Sequence, residues 1–181
     1  MRAGTNVAVV GATGAVGEAM LSILEQRNFP VNEIFPLASS RSAGKSVVFN
    51  GRSLEVGRLD EFDFSTVELG LFSASGSVSA EYAPKATAAG CIVVDNTSYF
   101  RNDPEIPLIV PEVNLHALDQ HQGIIANPNC STIQMVVALK PIYDAVGIHR
   151  INVATYQAVS GAGRRAIEEL AGQTAALLNG K

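Results

Sequence analysis

The sequence predicts an α/β fold, in which a doubly wound, mostly parallel sheet is followed by the beginning of an α+β domain. Two observations support this prediction. Short apolar runs of strand length alternate with stretches in which apolar residues recur at helical spacing, a pattern typical of parallel sheets. Three glycines also separate the first apolar run from the first helical stretch, as in the tight turn of a βα unit.

The individual elements follow in chain order. Residues 6–10 are apolar and rich in valine, which favours a strand, and apolar residues then recur at helical spacing. This helix is expected to end near Asn28, because Pro30 cannot continue it. The same patterns predict strands at residues 33–38, 68–72, 91–94, 123–126 and 151–159, and helices at residues 80–89, 131–146 and 164–178.

The composition is typical of a globular protein that binds small molecules. Hydrophobic residues make up 47% and charged residues 17% of the 181 residues, which argues against a disordered or fibrous chain. A net charge of -4 without a Lys/Arg cluster gives no reason to expect nucleic acid or an anionic membrane as a partner. No apolar run reaches the ~20 residues that span a bilayer, and no signal peptide is recognised, so we expect a cytoplasmic location.

A glycine-rich loop joins the first strand to the first helix. Its glycines are spaced three residues apart, so backbone N–H groups can approach a pyrophosphate whose charge the helix N-terminus stabilises. The sequence therefore predicts a Rossmann-like dinucleotide-binding domain; the alternative is a tight turn with a structural role only. The residues expected to bind are Gly11, Thr13, Gly14, Ala15, Val16 and Gly17.

The end of the second strand indicates which dinucleotide is bound. Domains that select NAD usually carry Asp or Glu there, to accept hydrogen bonds from the ribose hydroxyls. This chain has Ser39, Arg41 and Ser42 instead, with Lys45 close behind. A cation among hydroxyls suits a 2′-phosphate, which favours NADP over the alternative of a solvated basic loop.

Two further loops follow strands at the edge where such sheets bind ligands. The segment Ser73-Ala74-Ser75-Gly76 could contact the second phosphate or the nicotinamide ribose, although a plain loop is also possible. Arg101 follows the next strand and could bind an anion in bidentate fashion, although an arginine in a loop is often only a surface charge.

Cys130 is the candidate nucleophile. It lies where an apolar run gives way to a helical pattern, and the N–H groups and positive dipole of a helix N-terminus stabilise a negatively charged sulfur. The dipole contributes at most ~1 kcal/mol, so a second partner is needed. The other cysteine, Cys91, lies in an apolar run and is expected to be buried, and two cysteines give no disulfide framework.

After residue 129 the regular alternation of strands and helices ends, and we place a domain boundary at this point. Residues 1–129 form the predicted dinucleotide-binding domain, and residues 130–181 form an incomplete second domain. One strand and two helices are too few to close a second sheet. Gln157 is a polar residue in a mostly apolar run and could face a sulfur or an acyl oxygen, or be satisfied by backbone. The three histidines lack metal-ligand spacing, so no metal site is predicted.

Five segments of the chain carry its most specific motifs: Gly11-Ala12-Thr13-Gly14-Ala15-Val16-Gly17, Ser40-Arg41-Ser42-Ala43-Gly44, Asn96-Thr97-Ser98-Tyr99-Phe100-Arg101, Asn127-Pro128-Asn129-Cys130-Ser131-Thr132 and Gln157-Ala158-Val159-Ser160-Gly161. Together they resemble the aspartate-semialdehyde dehydrogenase family, which reduces aspartyl phosphate with NADPH. The related N-acetylglutamyl-phosphate reductase typically has Asn-Pro-Gly-Cys-Tyr around its nucleophile, so Asn129 and Ser131 argue against it.

The resemblance implies roles for these residues. Cys130 would attack the acyl phosphate and expel phosphate, Gln157 would orient the thioester, and Arg101 with Asn129 would contact the phosphate. Reduction by NADPH then releases L-aspartate 4-semialdehyde for lysine, threonine and methionine biosynthesis. The residues implied to bind NADP are the glycine loop, Ser39, Arg41, Ser42, Ser73, Ala74, Ser75, Gly76, Ser160 and Gly161.

The chain departs from the family in length. Members are nearly twice as long, are homodimeric through a second domain, and carry an acid/base histidine and substrate-binding charges beyond the point where this chain stops. We therefore expect an N-terminal portion with little or no turnover of its own, since general acid/base groups contribute roughly 10²–10⁴-fold. The rival hypothesis is a stand-alone dinucleotide-binding or regulatory module in which Cys130 is a sensor or a relic.

Overall fold

The computed structural model describes residues 4–180, which form two compact units divided between His149 and Arg150. No helix within these residues is both long and apolar enough to cross a membrane. The strands are β1 (Thr5–Val10), β2 (Val31–Ala38), β3 (Ser46–Phe49), β4 (Arg52–Glu55), β5 (Gly57–Arg58), β6 (Leu69–Phe72), β7 (Ile92–Asp95) and β8 (Ile124–Ala126). The helices are α1 (Ala15–Gln26), α2 (Gly76–Ala88), α3 (Pro111–Asn114), α4 (Cys130–Val146) and α5 (Arg164–Leu178), with 3-10 turns at Leu59–Glu61, Phe64–Thr66, Leu115–Gln120 and Val159–Ala162.

The first unit contains a six-stranded sheet in the order β5-β2-β1-β6-β7-β8, and every neighbouring pair in it is parallel. From β1 the chain moves outward through β2 and β5, and it then returns to β6 on the other side of β1. The predicted doubly wound α/β fold is confirmed. Such a reversal opens a crevice at the carboxyl ends of β1 and β6, where ligands bind in open α/β sheets.

The packing of the core explains why the sequence of β1 is a continuous apolar run. Residues Val7 to Val10 are completely buried, because both faces of the sheet are covered. Alternate side chains of β1 belong to different clusters, one with Leu21 of α1 and the other with Ala83 of α2. β1 is therefore held firmly on both faces, and the loop at its end starts from a fixed position.

A β-hairpin, missing from the sequence-based prediction, interrupts the alternation. β3 and β4 pair antiparallel and are joined by Asn50 and Gly51, whose φ angles of 49° and 72° match a type I′ turn. The Asn-Gly dipeptide was the signal that could have predicted it. Val47 and Phe49 of this hairpin are buried in the cluster that contains Leu21.

The second unit differs from the prediction in one element. The strand predicted at residues 151–159 is wrong: this segment forms no ladder with any described residue, and its side chains are exposed. β-branched residues favour a strand only where a neighbouring strand can pair with them. The predicted last helix is confirmed as α5, whereas the proposed boundary between domains 1–129 and 130–181 stays a prediction.

Candidate functional site

The glycine loop after β1 is tightly packed in a way that only glycine permits. Gly11 has a φ of 89°, and a Cβ atom there would lie 2.9 Å from the backbone nitrogen of Ala74 in the loop after β6. A Cβ on Gly17 would lie only 2.3 Å from the carbonyl oxygen of Gly11. The glycines thus bring the helix N-terminus and two loops together at the switch point. The backbone N–H groups of the first turn of α1 lie there, where a pyrophosphate would bind.

The loop after β6 is fixed to the same place. Ser73 donates a hydrogen bond from its backbone nitrogen to the carbonyl oxygen of Val10 at 2.9 Å, and its hydroxyl contacts the same oxygen at 3.2 Å. Ser75 caps α2 by accepting from the nitrogen of Val78 at 3.4 Å, so α2 begins at Gly76, four residues before its predicted start. Ala74 and Ser75 stay exposed at the crevice.

The loop after β2 presents cations and hydroxyls without a carboxylate. The carbonyl oxygen of Ser39 accepts from the nitrogens of Ser42 and Ala43 at 2.8 and 3.0 Å, which closes a turn, and Arg41 at its tip is exposed. The residue that follows the hairpin supports this turn, because the nitrogen of Gly44 donates to the carbonyl oxygen of Val56 at 2.9 Å. The turn is held in place while the guanidinium of Arg41 faces solvent.

Arg101 ties two loops together. Its Nε donates to the carbonyl oxygen of Asn127 and its Nη2 to that of Asn96, both at 2.9 Å. These bonds use two of the five guanidinium N–H groups, and no carboxylate of residues 4–180 forms a salt bridge with Arg101. Arg101 is thus half-buried and oriented, and its positive charge is not neutralised by an ion pair within the described chain.

Asn129 and Cys130 form the start of α4. The side-chain oxygen of Asn129 accepts from the nitrogen and the hydroxyl of Thr132, each at 2.9 Å, as an N-cap. The amide NH₂ of Asn129 is the half of this side chain that can donate to an anion. Cys130 is the first helical residue, is exposed, and lies beside the loop that Arg101 holds through Asn127.

The two cysteines occupy opposite environments. Cys91 is 1% exposed, and burial, with a smaller contribution from the Glu68 carboxylate, raises the pKa of its thiol to about 11. Because the thiolate is the reactive species, iodoacetamide at neutral pH is expected to alkylate Cys130 and to spare Cys91. Peptide mapping after a short reaction measures this, with the denatured chain, in which both should react, as the control. Equal labelling of both residues in the folded chain would contradict the assignment.

Gln157, Ser160 and Gly161 lie in the second unit. Gln157 is exposed, and a Cβ on Gly161 would lie 3.0 Å from its Nε2, so the side chain folds against the turn at Val159–Ala162. The amide of Gln157 thus lies next to the implied cofactor-binding residues. The roles implied for Gln157, Ser160 and Gly161 stay predictions.

Sequence reasoning missed a buried polar cluster at the end of β7. Asp95 is completely buried, and its carboxylate accepts hydrogen bonds from Ser79 and Thr97. An acidic residue directly after a buried apolar strand was the available signal, because a buried carboxylate needs several donors. The partner on α2 could not be inferred from spacing along the chain.

A glycine loop at a helix N-terminus, placed at the switch point of a parallel sheet, defines a dinucleotide-binding domain of the Rossmann class. Residues 6–121 match the family "Semialdehyde dehydrogenase, NAD binding domain", and the chain belongs to that family. Residues 139–181 match the family "Semialdehyde dehydrogenase, dimerisation domain".

Two relatives of this chain are aspartate-semialdehyde dehydrogenases. The chain is 66% identical to aspartate-semialdehyde dehydrogenase of Legionella pneumophila over 97% of this chain and 51% of the relative. It is 64% identical to aspartate-semialdehyde dehydrogenase 2 of Vibrio cholerae, again over 97% of this chain and 52% of the relative. The resemblance recognised in the sequence is confirmed, and the chain spans about half the length of the curated relatives it matches.

Two solved structures of aspartate semialdehyde dehydrogenases are also similar to this chain. The structure of aspartate semialdehyde dehydrogenase II from Vibrio cholerae complexed with ASA is 62% identical, with a TM-score of 0.95 over 98% of this chain and 53% of that one. The enzyme of Candida albicans with NADP is 26% identical, with a TM-score of 0.66 over 80% of this chain and 48% of that one.

Proposed function

We propose that this chain provides the NADP-binding domain and the nucleophile of an aspartate-semialdehyde dehydrogenase. The reaction is the NADPH-dependent conversion of L-aspartyl 4-phosphate to L-aspartate 4-semialdehyde, within lysine, threonine and methionine biosynthesis. The observation that carries the proposal is the exposed Cys130 at the start of α4, beside a loop held by the half-buried Arg101, which has no salt bridge among residues 4–180. The match over residues 139–181 supports a homodimer for the longer protein.

The residues of the crevice fit NADP. The glycine loop offers backbone N–H groups to a pyrophosphate, and the close approach of Gly11 to Ala74 leaves no room for side chains at that point. The turn after β2 offers Ser39, Arg41 and Ser42 to a 2′-phosphate. The NADP seen with the Candida albicans relative supports the same choice. When bound, NADPH supplies the hydride that reduces the acyl group.

The chemistry proposed for Cys130 is acyl transfer. The sulfur of Cys130 forms a bond to the acyl carbon while the bond from that carbon to the phosphate oxygen breaks, and phosphate leaves. The remaining guanidinium N–H groups of Arg101 and the amide NH₂ of Asn129 bind the phosphate. Backbone N–H groups in the first turn of α4 stabilise the transient oxyanion. After reduction the carbon–sulfur bond breaks, which releases the aldehyde and restores the thiolate.

The cofactor preference is tested at the turn after β2. Arg41→Ala is expected to weaken NADPH binding by about 10-fold to 100-fold, the effect of one charge-assisted hydrogen bond, and to leave NADH binding unchanged. Fluorescence titration of the bound nicotinamide measures both constants. Arg52→Ala is the matched control, since it removes the same charge next to the Asn50-Gly51 turn at the far end of the hairpin. An equal loss for NADPH and NADH would contradict the 2′-phosphate contact.

A further inference from the structure

Asp95 is a buried acidic residue for which the proposed reaction has no role. Its side chain is fully buried at the carboxyl end of β7. Oδ1 accepts from the hydroxyl of Ser79 at 2.8 Å and from the nitrogen of Thr97 at 3.1 Å, and Oδ2 accepts from the hydroxyl of Thr97 at 2.8 Å. Three bonds to one buried carboxylate define a single geometry for the chain that follows it.

This geometry continues along the loop toward Arg101. The hydroxyl oxygen of Thr97 in turn accepts from the nitrogen of Tyr99 at 3.3 Å. Asp95 thus fixes Thr97, Thr97 fixes Tyr99, and Arg101 comes two residues later. The side chains of Asp95 and Thr97 therefore hold the loop between β7 and Arg101.

The backbone of Asp95 and the side chain of Asn96 hold the loop that leads to Cys130. The carbonyl oxygen of Asp95 accepts from the nitrogen of Asn127 at 3.2 Å, and the side-chain oxygen of Asn96 accepts from the amide of Asn127 at 2.9 Å. Arg101 then bonds the carbonyl oxygens of Asn96 and Asn127. These hydrogen bonds link the two loops, and the Arg101 guanidinium lies between them.

We propose that Asp95 and Thr97 are positioning residues that hold the guanidinium of Arg101 and, through Asn127, the start of α4 in the arrangement that binds an anion beside Cys130. The identity of that anion as the phosphate of an acyl phosphate rests on the proposed function. The positioning itself rests on the hydrogen bonds within the loop after β7 and between that loop and the loop after β8.

Ser79 provides a matched comparison. It bonds the same buried carboxylate, but it belongs to α2 and not to the loop. Ser79→Ala and Thr97→Val each remove one hydroxyl bonded to Asp95. If Asp95 served only the stability of the fold, the two substitutions should have similar consequences. If it positions the loop, only Thr97→Val should release Arg101.

The experiment compares these two variants with the unsubstituted chain by two readouts. The first is the hydrogen-exchange rate of the Arg101 Nε proton, measured by NMR without added ligand. The second is the concentration of inorganic phosphate that halves the rate of Cys130 alkylation by iodoacetamide. We expect Thr97→Val to raise both values by about fivefold or more, because it removes the hydroxyl's bonds to both Asp95 and Tyr99, and Ser79→Ala to change each by less than about twofold.

The outcomes separate the two hypotheses. Equal changes in both variants, or no change in the Arg101 exchange rate in Thr97→Val, would overturn the positioning role. If phosphate fails to slow alkylation even in the unsubstituted chain, the anion site of the proposed function is wrong, and the Arg101 exchange rates still decide the positioning. Thermal unfolding of both variants confirms that they are compared in the folded state.

Discussion

Gly17→Ala is expected to destabilise the first unit severely and to abolish NADPH binding. The new Cβ would lie 2.3 Å from the carbonyl oxygen of Gly11 and 2.7 Å from the Cα of Ala12, and backbone atoms at both points cannot rotate away. We expect a loss of about 3 kcal/mol or more from overpacking, which lowers the melting temperature by roughly 6–12 °C at this chain length. Calorimetry and NADPH titration measure the two effects.

The control for this prediction is Gly172→Ala, the same substitution in the middle of α5. Apart from its chain neighbours and the adjoining backbone of α5 itself, no atom of residues 4–180 lies within 4 Å of a Cβ built there. Alanine in a helix interior is favoured over glycine by roughly 0.5–1 kcal/mol, so this variant should be as stable as the unsubstituted chain or more so. If Gly17→Ala bound NADPH with unchanged affinity, the close contact of α1 with the glycine loop would not matter for the cofactor.

Cys130→Ser is expected to abolish acyl transfer from an acyl phosphate. A serine hydroxyl has the same position but is a weak nucleophile at its ordinary pKa, so the rate should fall on the order of 10³-fold or more. The test incubates the chain with aspartyl phosphate and follows two signals. One is the release of phosphate in an amount equal to the protein, and the other is an intact mass increased by one aspartyl group.

Cys91→Ala is the matched control for the same assay. Cys91 is buried in the hydrophobic cluster that also contains Val93 of β7, so replacing its thiol should leave acyl transfer unchanged. An adduct that persists in Cys130→Ser, or that disappears in Cys91→Ala, would show that another group reacts. Acylation of Cys130 would support the thiol chemistry whatever the result at Arg41. If Arg41→Ala left NADPH binding unchanged, only the proposed cofactor contact would be refuted.

Several features could be predicted because their signals are local. The valines of β1, the glycines that follow and the helical spacing after them are neighbours in sequence, and they predicted the first βα unit as it is observed. The helix start near Cys130 was likewise predicted, from the change of an apolar run into helical spacing, and Asn129 caps it by a contact over three residues. The hairpin at Asn50-Gly51 belongs to this class too, and its signal was overlooked.

Other features depend on partners far apart in the chain. The sequence suggested that Arg101 binds an anion, but only the fold shows that Asn96 and Asn127 orient it first. The segment 151–159 shows the opposite failure: its β-branched residues predicted a strand, yet no strand of the described residues pairs with it. A propensity states what a residue tolerates, and a ladder requires a second segment.

The amino-acid sequence alone therefore determined the α/β class, the glycine loop and the place of Cys130 at the start of a helix, because apolar periodicity and turn chemistry act between near neighbours. Tertiary structure alone decided that Asp95, Ser79 and Thr97 share one buried cluster and that Arg101 joins the loops after β7 and β8. The physical reason is that hydrogen bonds between loops depend on which strands lie side by side, and strand order is a property of the whole sheet.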